Sequence, residues 1–80
     1  MTRDEWIAAF ARAAGVPRPS PEEIRDLLDL AGTAAHASER TAAPLACFLA
    51  GRSTFSLREL RAAAEGIGDD GGAQPDDVRA

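Results

Sequence analysis

His36 is the only histidine of this 80-residue chain and Cys47 the only cysteine. A lone imidazole does acid–base work when a carboxylate orients it, and a lone thiol becomes a nucleophile when a base activates it. Asp29 stands seven residues before His36, two helical turns, and Arg40 stands four after it. On a helical period the three fall on one side, away from Leu27, Leu28 and Ala31. Arg40 there offers a forked donor for a carboxylate or phosphate, and His36 a second donor. The pattern predicts a partner- or ligand-binding surface made of Asp29, His36 and Arg40. The competing chemistry is a small enzyme or cofactor-handling protein with His36 as acid–base. The plainest reading is a solvated histidine near helix-end charges. No nucleophile and no set of metal ligands accompanies His36 at a recognisable spacing. We therefore expect no catalytic residues, no metal and no cofactor, and a non-catalytic binding or accessory role. On a regular helix Cys47 points away from Leu45 and Leu49, and the preference of free cysteine for buried sites makes it a small packing residue.

The elements that position these residues are marked by their starts. Thr2-x-x-Glu5, Ser20-x-x-Glu23 and Ser56-x-x-Glu59 all have the form of a capping box. They predict helices over 3–14, from 21 to about 40, and over 57–67. Pro44 opens a short further helix over 45–50. Gly15, Gly51 and Gly68 are the expected stops. The large apolar residues at helical spacing, Trp6, Phe10, Leu27, Leu28, Leu45, Phe48, Leu49 and Leu60, are the expected core. Ala31, Gly32, Ala34 and Ala35 let a neighbouring helix come close. The fold class expected is all-α, a compact bundle of four helices over 1–68. The acidic tail, 69–80, has Val78 as its only large apolar residue and is expected to be disordered.

Composition agrees with helix: alanine supplies much of the 45% hydrophobic content and aromatics only 5%. The net charge of −4 is concentrated in the tail, where Asp69, Asp70, Asp76 and Asp77 face Arg79 alone. The body is left near neutral, without a basic cluster, which disfavours nucleic acid as a partner. No apolar stretch approaches the roughly 18 residues that cross a bilayer, so a soluble cytoplasmic protein without a membrane partner is expected.

Leu27-Leu28-Asp29-Leu30-Ala31, Ala34-Ala35-His36 and the turn Glu39-Arg40-x-Ala42-Ala43-Pro44-Leu45 resemble a small actinobacterial family of helical domains of unknown function. Thr41 stands where that pattern usually has proline. The likeness spans roughly residues 3–51. Members also occur fused to the C-terminus of molybdenum-cofactor guanylyltransferases. The resemblance thus implies a protein partner in molybdenum-cofactor synthesis or insertion. It implies no transferase activity, since the nucleotide-binding domain of those fusions has no counterpart here.

Overall fold

The computed structural model describes residues 1–67. The chain is all helical: α1 (Arg3–Ala14), α2 (Pro21–Ala37), α3 (Ala42–Arg52) and α4 (Leu57–Glu65). No helix among the described residues is long and apolar enough to cross a membrane. The expected tail, 69–80, lies outside the described residues.

All three capping boxes close. At each start the hydroxyl oxygen accepts the backbone N–H of the glutamate three residues on, at 3.1 Å for Thr2, Ser20 and Ser56 alike. Each glutamate accepts the cap's own N–H in return, at 2.8–2.9 Å. These bonds satisfy N–H groups that the first helical turn leaves without partners. At the end of α1, Gly15 takes φ 76°. That left-handed turn lets Val16 N–H reach the Ala11 carbonyl at 3.0 Å and Gly15 N–H the Arg12 carbonyl at 3.1 Å. Glycine occupies this conformation without a Cβ penalty.

Four boundaries differ from the sequence reading: α3 runs through the expected stop Gly51 to Arg52, α4 ends at Glu65 and not at Ile67, and the end of α2 and the start of α3 shift as well. Helix α2 stops at Ala37, short of Arg40. Both the amide and the hydroxyl of Ser38 donate to the Ala34 carbonyl, at 3.1 and 3.2 Å, and the backbone turns away there. Helix α3 begins at Ala42 and not at Leu45, because the carbonyls of Glu39 and Arg40 accept the N–H groups of Ala42 and Ala43 and start the winding early. Pro44 then falls within the first turn, where a missing N–H costs nothing.

Helix α2 is the spine, with α3 and α4 packed along it. Helix α1 makes no comparable pairing; its Ile7 and Ala8 share a cleft with Pro19, Pro21 and Ile24 at the start of α2. Among the described residues only Ala11, Leu30 and Ala50 are buried. The expected core is therefore corrected. Leu27 and Leu60 are half-buried as they should be, but Trp6, Phe10, Leu28, Leu45, Phe48 and Leu49 are exposed. The physical reason lies in which face each helix turns to α2. Helix α3 packs through its small side, Ala43, Ala46, Cys47 and Ala50, against an α2 surface that is itself rich in alanine. Small against small brings the two backbones close, and the large residues on the opposite side of α3 are carried outward. On α2 the inner stripe is centred on Leu30, with Leu27 and Ala34 beside it, so Leu28 is turned out.

Candidate functional site

The polar trio predicted on α2 is not drawn into one cluster. Asp29 is committed to α4: Arg61 reaches it with Nη2 at 3.3 Å and reaches Asp26 with Nη1 at 3.1 Å. Asp26 and Asp29 are one turn apart on α2, and the planar guanidinium spans both. The clamp is partly buried, and the Arg61 Nε, enclosed between the helices, has no acceptor. It pins α4 to α2 where few large side chains meet. The sequence reading gave Arg61 no role and missed this pairing. The only trace of it in the sequence is the Asp26/Asp29 spacing, which names no partner.

His36 is exposed near the end of α2, and among the described residues its side chain makes no hydrogen bond or ion pair. Two helical turns separate it from Asp29 by about 10 Å along the axis, too far for a direct bond. Arg40 is exposed in the turn after the helix, no longer on the face that carries Asp29 and His36. Its backbone carbonyl holds the start of α3, as described above. Among the described residues no group of three histidine, cysteine or acidic side chains converges as a metal would require.

Cys47 is half-buried beside Leu27, Ala50 and Leu57. Burial raises the pKa of its thiol, because desolvation disfavours the thiolate. A protonated thiol among apolar neighbours is a packing residue and a poor nucleophile. Its alkylation by iodoacetamide at pH 8 should be many-fold slower in the folded protein than in urea. Equal rates in the two states, followed by mass spectrometry, would mean an open, activated thiol.

One concave feature is apolar. It is a groove of about 630 Å³ running between α2, α3 and the end of α4, lined by Leu30, Ala34, Ala37, Leu45, Leu49 and Ile67 among others. Its α3 wall continues onto the outward face of that helix, where Leu45, Phe48 and Leu49 are 64%, 61% and 62% exposed. The guanidinium of Arg52 lies over the Phe48 ring, 5.1 Å from its centre. Three adjacent large apolar side chains on one short helix, next to an apolar groove, exceed the scattered exposure of an ordinary surface. A second exposed group sits on α1, where Trp6 and Phe10 stack with ring centres 5.2 Å apart and planes inclined by 20°. The sequence reading placed all five residues inside, so it missed both surfaces.

No curated protein and no solved structure matches this chain. A family pattern does, over residues 1–70, which is most of the chain. The chain belongs to that family, the domain of unknown function DUF6457.

Proposed function

We propose that this domain is a non-catalytic binding module that holds a partner protein through the outward face of α3 and the adjoining groove. The observation that carries the reading is the orientation of α3: its alanines pack on α2, and Leu45, Phe48 and Leu49 are presented to the outside. A short row of large apolar residues at i, i+3 and i+4 beside a groove is the arrangement by which helical surfaces take another helix. His36 and Arg40, exposed and next in sequence to the groove residues Ala37, Ser38 and Ala42, supply its polar rim. A binding role for His36 is favoured over an acid–base role by its open position and by the commitment of Asp29 to Arg61.

The partner proposed is a molybdenum-cofactor guanylyltransferase, in a pathway of cofactor synthesis or insertion. What supports it is the resemblance of the Leu27–Leu45 segment to domains fused behind such enzymes. The test is calorimetric titration of the purified chain with the guanylyltransferase of the same genome. Binding is expected, lost in a Leu45→Asp, Leu49→Asp double variant and weakened several-fold in a His36→Ala, Arg40→Ala variant. Absence of binding, or binding that both variants retain, overturns the proposal.

A further inference from the structure

The groove beside α3 and the Trp6–Phe10 face of α1 are associated with different ends of α2. The groove runs along residues 30–38, whereas α1 lies against the cleft at Ile24. We propose that the two features are halves of one contact between copies of this chain: the stacked rings of one copy sit in the α3 groove of a second, and the reverse, closing a two-fold dimer. The inference rests on the reading of the groove as a docking site: in the free chain a second copy fills it, and the partner protein displaces that copy.

Area is the first argument. Trp6, Phe10, Leu45, Phe48, Leu49 and Ile67 are each more than half exposed. Together they leave about 700 Å² of residue surface in water, close to the roughly 800 Å² that a standard stable interface takes from each partner. Neither patch approaches that figure alone, so a contact using only the α3 face falls well short of it, and the reciprocal one comes close.

Shape is the second. The two stacked rings form a preformed wedge of fixed geometry, which limits the entropy lost on docking. A groove of about 630 Å³ lies in the range that accepts a body of that size. A chain cannot fill its own groove with this wedge while Ile7 stays in the cleft beside Ile24. Two copies meet without such a conflict, and the near-neutral charge of the helical body opposes their approach little.

Stability is the third. Three buried residues among those described, two of them alanine, are a small core for four helices. Association would add to the stability of so small a core by mass action.

The test is the mass of the full chain in solution by sedimentation equilibrium, from 1 to about 200 μM. The expected mass is twice the 8.4 kDa of the chain. Two double variants, Trp6→Asp with Phe10→Asp and Leu45→Asp with Leu49→Asp, should each keep their helical circular dichroism and become monomeric. Trp6 is the only tryptophan, so its emission in the unaltered chain should shift to the blue as concentration rises, which needs no variant to fold. A monomer throughout the range, or a dimer that survives either double change, overturns the proposal. So does a monomer that dimerises only after removal of residues 69–80, which would assign the groove to the chain's own tail. A monomeric chain that still binds the guanylyltransferase through Leu45 and Leu49 overturns the dimer and leaves the binding role standing. A dimer that binds no guanylyltransferase does the opposite.

Discussion

Leu30→Ala should lower the stability of the domain by about 2–4 kcal/mol, the range for removing a buried leucine side chain. Leu30 is 5% exposed and is the only large side chain among the three buried residues. It lies on α2 where α3 and the end of α4 converge, at the floor of the apolar groove. Truncation there widens an existing hollow, so neighbouring side chains cannot close over the space. A domain of this size has only a few kcal/mol in hand, and the loss should take much of it. Leu28→Ala is the matched control. Leu28 is 55% exposed, so the same atoms removed from the opposite side should cost less than about 1 kcal/mol. Urea unfolding followed at 222 nm, at one fixed protein concentration, compares the two. Equal losses would mean that α2 turns a different face to α3 and α4.

The helix ends were largely legible because their causes are local. A hydroxyl and a glutamate three residues apart determine a start through two bonds, and Thr2, Ser20 and Ser56 each make both. Gly15 ends α1 by a conformation that few other residues adopt. The end of α2 was less legible, since Ser38 is an ordinary helix residue until its hydroxyl bonds back to Ala34. At Ser38 the backbone leaves helical geometry, with φ −137° and ψ −88°, and that removes Arg40 from the helix and with it the shared face of Asp29, His36 and Arg40. The orientation of α3 was not legible at all. Both its sides are apolar: Leu45, Phe48 and Leu49 on one, and Ala43, Ala46, Cys47 and Ala50 on the other. Periodicity finds a stripe and cannot choose between two, and a preference for burying the larger chooses wrongly when the opposing helix is itself alanine-rich. The clamp of Arg61 on Asp26 and Asp29 is non-local, joining α4 to α2, and short-range spacing carries no record of it.

Ala50→Leu tests the orientation of α3. Ala50 is 8% exposed on the side of α3 that packs close to α2, near Leu27, Cys47 and Leu57. Ala50 also borders an open cleft of about 370 Å³, so an added isopropyl group must either turn out into that cleft or push α3 off the spine and force neighbouring side chains out of their rotamers. Overpacking of this kind costs about 1–3 kcal/mol. Leucine and alanine are both strong helix formers, so propensity contributes only a small part of that loss. Had Leu45, Phe48 and Leu49 faced α2, residue 50 would point to solvent and the change would be nearly neutral. The displaced helix also carries the wall of the groove with it. Ala50→Leu should therefore weaken whatever docks against Leu45 and Leu49 even though residue 50 lies outside that surface. Stability from urea unfolding and affinity per folded molecule should fall together. A neutral Ala50→Leu in both measurements would mean that the cleft takes the added group without moving α3, or that α3 turns a different face to α2.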